Sequence, residues 1–259
     1  MAGTSTSRKS RSKRSSTKNR EGTELKGKIA LVTGGSRGLG RAIAEALASE
    51  GCKVIITGRD EQALAVVSAA VTRKGGAVYA RHCDVRSAES VAALATAIRK
   101  QFARLDILVN NAGIAHATAS VDQLPIEAWR EVIETNLTGL FLVTRAALPL
   151  MHAGGTIINN LSISAKLVFP GMSAYNASKH GALGLTDSLR EELRPRGIRV
   201  ISLLPGATDT DIWQHFWPEA PREKMMSAES IATALVAALK MPADTTVSQL
   251  EITPTGGPL

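Results

Sequence analysis

Short apolar runs rich in β-branched residues alternate with helical patterns along most of the chain. The first apolar run covers residues 28–33 and predicts a strand. Residues 38–50 follow with Ile43 and Leu47 on one helical face, and Gly51 then stands where a helix typically ends. This order of strand, helix and glycine stop is the start of an alternating α/β pattern.

The rest of the chain continues that alternation. Strands are predicted at 28–33, 52–57, 78–82, 107–110, 156–161, 199–204 and 247–252. Helices are predicted from 38, near 61 and near 88, and over 126–151, 175–194 and 228–239. Strands that look buried on both faces, with helices between them, predict an α/β fold with one doubly wound parallel sheet of about seven strands, flanked by helices.

The first 24 residues lack this pattern and consist mainly of Ser, Thr, Lys and Arg. Seven of the 31 basic residues lie within positions 1–20, which contain no acid, so the remaining 24 nearly balance 23 acidic residues. The net charge of +8 therefore belongs to the tail. We predict a disordered basic tail over residues 1–24 and one folded domain over residues 25–259. A nucleic-acid contact is expected only through the tail, whose simplest interpretation is a solvated extension.

Composition narrows the class of protein further. At 44% hydrophobic and 21% charged residues the chain can bury a full core, and no apolar run approaches the ~20 residues of a membrane-spanning helix. The two cysteines, Cys52 and Cys83, make neither a disulfide scaffold nor a metal site at known ligand spacing. We therefore expect no metal, no membrane and a reducing compartment, the cytoplasm.

A glycine-rich turn joins the first strand to the first helix at Thr33–Gly34–Gly35–Ser36–Arg37–Gly38–Leu39–Gly40. Such glycines bring backbone N–H groups close to a pyrophosphate, and the helix N-terminus adds a favourable field. The spacing is Gly-x₃-Gly-x-Gly, which differs from the commonest dinucleotide fingerprint. Its position between a strand and a helix predicts a Rossmann-type dinucleotide site.

The end of the second strand carries the signal for the kind of dinucleotide. NAD sites usually place an acid here to bind the ribose hydroxyls, whereas an arginine accommodates the 2′-phosphate of NADP. The chain has Gly58 and Arg59 at this point, and Arg37 lies in the neighbouring loop. NADP is therefore favoured, while the nearby Asp60 keeps NAD open as the less favoured alternative.

A second set of polar residues has the character of a catalytic site. Tyr175 and Lys179 are four residues apart on a predicted helix, so they share a face, and an ammonium beside a phenol is expected to lower its pKa. Ser162 ends an apolar strand, where open α/β sheets bind ligands. Asn136 interrupts the apolar stripe of the long helix and needs buried polar partners.

With these motifs in this order, residues 26–253 resemble the short-chain dehydrogenase/reductase superfamily, and most of all its 3-oxoacyl-carrier-protein reductase-like members. The matching motifs are Thr33-Gly34-x₃-Gly38-x-Gly40, Asp84, Asn110-Asn111-Ala112-Gly113, Asn136, Ser162, Tyr175-x₃-Lys179 and Pro205-Gly206. A departure is Ala165-Lys166, where many relatives have a glycine.

The resemblance implies a role for each matching residue. Tyr175 is expected to be the general acid/base, and Ser162 to polarise the substrate carbonyl, although Ser164 lies close by in the sequence. Lys179 is expected to bind the nicotinamide ribose and lower the pKa of Tyr175, and Asn136 to hold a water that links Lys179 to solvent. The expected cofactor-binding residues are Gly34, Ser36, Arg37, Gly38, Leu39, Gly40, Arg59, Asp84, Val85, Asn110, Ala112, Tyr175, Lys179, Pro205, Gly206, Thr208 and Thr210.

The segment after Thr210 indicates the substrate. Residues 211–228 concentrate apolar side chains in a chain that is only 3% aromatic: Ile212, Trp213, Phe216, Trp217, Met225 and Met226. We expect a lid here, with the opposite wall formed by Leu167, Val168, Phe169 and Met172. His116 and His215 are further residues that could line the substrate site.

These features favour an NADP-dependent oxidoreductase that interconverts a small apolar ketone or β-ketoacyl group and a secondary alcohol. The alternatives are an NAD-preferring alcohol dehydrogenase of the same family, a nucleotide-sensing regulator, and a nucleic-acid-associated protein that uses its tail. Helices 126–151 and 175–194 resemble the pair through which relatives assemble, so a homotetramer or dimer is expected.

Overall fold

The computed structural model describes residues 1–3 and 22–257, except for the side chains of His215 and Phe216. The predicted disorder of the tail therefore falls mostly on residues 4–21, which lie outside the described residues. From Thr23 onward the chain is fixed to the fold: its N–H donates to the Lys240 carbonyl at 3.0 Å and its hydroxyl to the Met241 carbonyl at 2.8 Å. Leu25 is then fully buried.

Within the described part of the chain, seven parallel strands form one sheet in the order β3-β2-β1-β4-β5-β6-β7. The strands are β1 (Ile29–Thr33), β2 (Lys53–Gly58), β3 (Ala77–His82), β4 (Ile107–Asn110), β5 (Thr156–Asn160), β6 (Arg199–Pro205) and β7 (Gln249–Ile252). This confirms the predicted doubly wound sheet, with strand ends within two residues of expectation.

Helices cover both faces of the sheet. They are α1 (Gly38–Ser49), α2 (Glu61–Arg73), α3 (Ala88–Phe102), α4 (Ile126–Ile133), α5 (Gly139–Ala147), α6 (Ser173–Leu193), α7 (Trp213–Phe216) and α8 (Ala228–Leu239). One core lies under α1, α2 and α8, and a second under α3, α5 and α6. Alternate residues of β1 serve the two cores, because side chains on a strand point to opposite faces: Ala30 and Val32 join the first, Ile29 and Leu31 the second.

The long helix predicted over residues 126–151 is not one regular α-helix. A π-helical segment, Glu134–Thr138, separates α4 from α5, and a 3₁₀ turn at Leu148–Leu150 ends the run. The side chain of Asn136 lies inside the π-helical segment and bonds both the N–H of Ile114, at 2.8 Å, and its carbonyl, at 2.9 Å. A π-helical turn holds one extra residue, and such turns are frequent at functional sites.

The strand order reverses between β1 and β4, which are neighbours in the sheet although β2 and β3 lie between them in sequence. In open α/β sheets the crevice outside the carboxyl ends of the strands at such a point is where ligands bind. No helix among the described residues is long and apolar enough to cross a membrane.

Candidate active site

A cleft of about 610 Å³ lies over the carboxyl ends of the strands at this point of reversal. Its volume lies within the range of ordinary ligand sites. The predicted site residues that line it are Gly34, Ser36, Arg37, Gly38, Leu39, Gly40, Arg59, Asp84, Val85, Ala112, Ser162, Tyr175, Lys179, Pro205, Gly206, Thr208 and Thr210. The structure therefore brings together residues that are up to 176 positions apart, although Asn110 and Asn136 lie elsewhere.

The glycine turn is built for close approach at its base. Gly38 has a φ of +51°, which favours glycine. At Gly40, a Cβ would lie 2.2 Å from the carbonyl oxygen of Gly34, so any side chain would push α1 away from the turn. The N-cap residue of α1, Arg37, makes no side-chain cap, and the first turn holds no acid. The first N–H groups of α1 thus retain the capacity to bind an anion.

Two asparagines that the sequence analysis did not assign hold this turn in place. Asn111 donates from Nδ2 to the carbonyl of Thr33 at 2.9 Å, and its own Oδ1 accepts from Nδ2 of Asn160 at 2.9 Å. The carbonyl of Asn160 in turn accepts from Nζ of Lys179 at 3.1 Å. This series of hydrogen bonds connects the glycine turn after β1 with α6, the helix that carries Tyr175 and Lys179. The sequence signal that could have identified both asparagines is their position at the ends of predicted strands.

Asn110 is placed differently from the expectation. Its buried amide donates to Oγ1 of Thr144 at 2.9 Å and to Oδ1 of Asn159 at 2.8 Å, beneath the sheet edge. Two buried polar neighbours hold this amide in the interior, so its side chain does not line the cleft, and a cofactor contact by Asn110 stays a prediction. Its neighbour Asn111 lines the cleft instead.

Ser162 and Tyr175 meet at the centre of the cleft. Ser162 is the side chain whose hydrogen bonding acts on the pKa of Tyr175. Because Ser162 and Ser164 both line the cleft, the choice of Ser162 stays a prediction. Ser162 has a φ of +135°, a region that side chains rarely adopt. Its hydroxyl donates to Oγ of Ser164 at 3.2 Å and accepts from the Ser164 N–H at 3.2 Å. Backbone strain of this kind concentrates at functional sites.

Lys179 lies against Tyr175, with Nζ 5.4 Å from the ring centre, and is almost fully buried. Burial lowers the pKa of Lys179 to about 8. Burial also raises the pKa of Tyr175 to about 12, with the Ser162 hydrogen bond acting in the opposite direction. The lowered phenol pKa expected from sequence is therefore not found. Loss of water penalises the charged form of both groups, and this outweighs their attraction.

Asn136 lies behind the cleft. Besides its bonds to Ile114, its Nδ2 donates to Oγ of Ser178 at 3.0 Å. A Cβ placed on Gly113 would lie 3.3 Å from Oδ1 of Asn136 and 3.6 Å from Nζ of Lys179, so both groups reach the same point of the backbone. The water that Asn136 is expected to hold stays a prediction.

Three guanidinium groups, of Arg37, Arg59 and Arg86, line the cleft at the ends of β1, β2 and β3. Arg86 was not assigned from sequence. It forks onto Asp84, with Nη2 2.6 Å and Nε 3.0 Å from the carboxylate oxygens. This hydrogen bonding to Arg86 holds the pKa of Asp84 below its usual value. The carboxylate of Asp84 is therefore already engaged by a residue two positions on.

The other end of the cleft is mainly apolar, with Asp211 also in its lining. Phe169 and Met172 line one side, and Ile212, Trp213 and Trp217 line the other. The expectation that Leu167 and Val168 complete the first wall is wrong: they are 50% and 73% exposed and outside the cleft lining, because the chain turns outward after the 3₁₀ turn at Ile163–Ala165.

Three further residues of the predicted substrate end are placed as follows. Met226 packs against the core. His116 is buried outside the cleft lining, with Nδ1 2.8 Å from the Ala117 carbonyl. The His215 side chain lies outside the described residues.

Comparison with known proteins places this geometry in context. Residues 28–221 match the family model described as short chain dehydrogenase. A 3-oxoacyl-(acyl-carrier-protein) reductase of Synechocystis is 39% identical over 196 residues, covering 74% of this chain and 79% of the relative. A 3beta-hydroxysteroid dehydrogenase of Mediterraneibacter gnavus is 39% identical over 186 residues, covering 71% and 67%.

Solved structures give the same result. An alcohol dehydrogenase from the archaeon Thermococcus sibiricus, complexed with 5-hydroxy-NADP, superposes with a TM-score of 0.82 at 30% identity. The match covers 89% of this chain and 97% of that one. The likeness therefore extends over most of this chain.

Proposed function

Because the chain belongs to the short-chain dehydrogenase family, we propose that this oxidoreductase transfers hydride between NADPH and an apolar ketone or β-ketoacyl group, giving a secondary alcohol. The observation that carries the proposal is the pairing of Tyr175 with Ser162 in the same cleft that the glycine turn and three arginines enter. One end of the cleft thus suits a phosphorylated dinucleotide and the other suits an uncharged substrate.

The residues at the nucleotide end fit NADP. The uncapped N-terminus of α1 suits the pyrophosphate, and Arg37 and Arg59 suit the 2′-phosphate. Relatives point the same way, since the alcohol dehydrogenase of Thermococcus sibiricus was solved with an NADP derivative. When bound, the nicotinamide supplies the hydride.

The proton in this scheme comes from Tyr175. With its pKa raised to about 12, the phenol is protonated at neutral pH, which is the form that can donate to a carbonyl oxygen as negative charge develops there. Ser162 hydrogen-bonds this phenol and lies where it can also donate to the same oxygen. A second donor held in place before the reaction stabilises the transition state more than the ground state.

Lys179 has a separate task in this proposal. Its pKa of about 8 lets it exchange a proton near physiological pH, and it lies beside the Tyr175 ring. Asn136 shares with it the surface of Gly113, so these two residues form the route by which Tyr175 regains a proton. The held water at Asn136 belongs to this part of the proposal.

The substrate class follows from the apolar end. The apolar side chains of Phe169, Met172, Ile212, Trp213 and Trp217 favour an aliphatic or ring ketone over a sugar. Asp211, which also lines the cleft, repels the carboxylate of a keto acid. Two relatives act by name on an acyl carrier-linked group and a steroid, which are also largely apolar. Each added methylene that enters this space gains about 0.8 kcal/mol.

A panel of straight-chain methyl ketones, assayed by nicotinamide absorbance with NADPH and with NADH, tests the proposal. Catalytic efficiency is expected to rise about fourfold per added carbon while the chain still fits, because each methylene leaves water. NADPH is expected to be preferred about tenfold or more, as an added charge-assisted contact predicts. A flat ketone series with faster reduction of a polar sugar contradicts the substrate class, and equal use of both cofactors contradicts the NADP assignment.

A further inference from the structure

Arg59 and Arg86 at the nucleotide end belong to a mixed-charge cluster with Asp84 and Glu131. Arg86 is anchored by the short fork to Asp84. A second carboxylate, Glu131 on α4, contacts the same cluster: its Oε1 lies 3.5 Å from Nη1 of Arg86 and 3.9 Å from Nη1 of Arg59. One carboxylate oxygen is thus shared by two guanidinium groups.

The contacts of Glu131 are unlike those of Asp84. Its distances to the two guanidinium groups are long. The side chain of Glu131 is 48% exposed and that of Arg59 is 55% exposed. Exposed ion pairs of this geometry contribute little to folding stability. Asp84 alone accepts four hydrogen bonds from Arg86, so Arg86 keeps its position without Glu131. The remaining effect of Glu131 is electrostatic.

The neighbouring acids do not duplicate this effect. Asp60 caps α2 by accepting from the Ala63 N–H at 2.9 Å, and Asp84 is occupied by Arg86. Glu134 acts on Arg86 only through longer-range attraction. Glu131 is therefore the acid that contacts both Arg59 and Arg86 and that a ligand phosphate must compete with.

We propose that Glu131 is a specificity-determining residue that limits how strongly the cleft prefers a 2′-phosphorylated dinucleotide. This inference rests on the proposed function. A 2′-phosphate brings close to two negative charges to Arg59, so it must draw this guanidinium from Glu131 and is repelled by that carboxylate. A dinucleotide without the 2′-phosphate neither displaces Glu131 from the guanidinium nor is repelled by its carboxylate. Removing the charge of Glu131 therefore strengthens NADPH binding and leaves NADH binding nearly unchanged.

The test compares Glu131→Gln with Glu127→Gln, a control that removes the same charge from the first turn of the same helix, where no contact with the arginines exists among the described residues. Dissociation constants for NADPH and NADH are measured by nicotinamide fluorescence without substrate. For Glu131→Gln we expect about threefold or greater tightening for NADPH and less than about twofold change for NADH. The gain should shrink as ionic strength rises from about 0.02 M to 0.5 M.

Two outcomes overturn the inference: an unchanged ratio of the two constants, or weaker NADPH binding, which would mean that Glu131 positions the arginines. Equal tightening of NADPH binding by Glu127→Gln would also overturn it, because the effect would then come from the net charge of the protein. Failure of the proposed function has a different signature, namely that the wild-type protein binds NADH as tightly as NADPH. Whether or not the wild type prefers NADPH, the inference requires that Glu131→Gln tightens NADPH binding.

Discussion

Single residues in the cleft derive their chemical character from burial more than from charge. Tyr175 and Lys179 adjoin each other, yet the pKa of the phenol rises and that of the ammonium falls. Removal from water favours the neutral form of each, so the pair is poised as a neutral acid beside a neutral or readily deprotonated amine at slightly alkaline pH. The i, i+4 spacing indicated that the two groups would meet, but not which protonation states the interior would favour.

Tyr175→Phe tests the acid directly, and Tyr79→Phe is its control. Tyr79 is the chain's other tyrosine and packs edge-to-face on Phe102, with ring centres 5.1 Å apart, away from the cleft. Loss of the positioned proton donor should lower turnover by about 10² or more while the dissociation constant for NADPH stays within about twofold. The control should keep turnover. Near-normal turnover of Tyr175→Phe in single-turnover kinetics would remove Tyr175 from the mechanism.

Lys179 should also mark the pH dependence of folding stability. Its pKa falls from 10.5 to about 8 on folding, so between those values the unfolded chain binds one more proton than the folded chain. The free energy of unfolding therefore rises with pH across this window, by an amount on the order of 3 kcal/mol for this group. Lys179→Met should lack this contribution.

The measurement is urea unfolding of both proteins at pH values from about 7.5 to 10.5, evaluated as the difference between them. Cys52, whose pKa burial raises to about 11, and Tyr175 act in the opposite direction at alkaline pH. Both groups are present in both proteins, so their effects cancel in the difference. Parallel profiles for the wild type and Lys179→Met would show that Lys179 titrates normally.

At the scale of secondary-structure elements, most of the fold follows from the sequence because β-branched runs and glycine stops coincide with tertiary structure. The strands and α8 were predicted within two residues, and Ile107–Asn110 and Ala228–Leu239 without error. The π-helical segment at Glu134–Thr138 could not be predicted, since it depends on the bonds of Asn136 to Ile114, a partner 22 residues away. Local pattern carries no information on such a contact.

The site was predictable to a similar extent. Motif residues such as Tyr175 and Ser162 lie in the cleft as expected. Asn111, Asn160 and Arg86 were missed because their importance comes from hydrogen bonds across strand ends, to residues that are distant in sequence or that were given another role. The exposure of Leu167 and Val168 was not predicted, because apolar residues in this part of the sequence are equally typical of a pocket wall.

The segment of residues 211–221 is held at its base by Arg222. One guanidinium nitrogen of Arg222 lies 2.7 Å from the Asp209 carboxylate and 2.8 Å from the Thr210 carbonyl, and the indole N–H of Trp213 donates to the Thr208 carbonyl at 2.8 Å. These hydrogen bonds join the expected substrate lid to residues 208–210, where cofactor contacts are predicted. Arg222→Gln should loosen this joint and raise KM for an apolar ketone about threefold to tenfold, since the lost contacts are charged but partly exposed.

The matched control is Lys224→Gln in the same 3₁₀ turn, Arg222–Lys224. Limited proteolysis should cut residues 211–221 faster in Arg222→Gln than in the wild type or the control. The value of kcat at saturating ketone should stay within about twofold, because Tyr175 and Ser162 are untouched. A threefold to tenfold fall in kcat with unchanged KM would instead place Arg222 in the chemical step.

At the scale of the whole molecule, the outer face of α4, α5 and α6 calls for a partner. Ile126 and Trp129 on α4 and Phe141 on α5 are 52%, 38% and 45% exposed. The adjoining helix α6 presents Gly181 and Gly184 to solvent, which lets another helix approach closely. We expect a second copy of the chain to cover this face, so light scattering at micromolar concentration should give two or four times the mass of one chain.

Phe141→Glu tests this assembly, with Val66→Glu as control because Val66 is 64% exposed on α2, which packs on the opposite face of the sheet. A carboxylate buried at a helix–helix contact without a partner costs several kcal/mol, enough to weaken association about 100-fold or more. Phe141→Glu should therefore shift the mass towards one chain, while Val66→Glu keeps the wild-type mass. Because α4 also carries Glu131 and leads into the π-helical segment of Asn136, dissociation should change NADPH affinity as well. A wild-type protein that is monomeric at about 10 μM would contradict the expectation that a second copy covers this face.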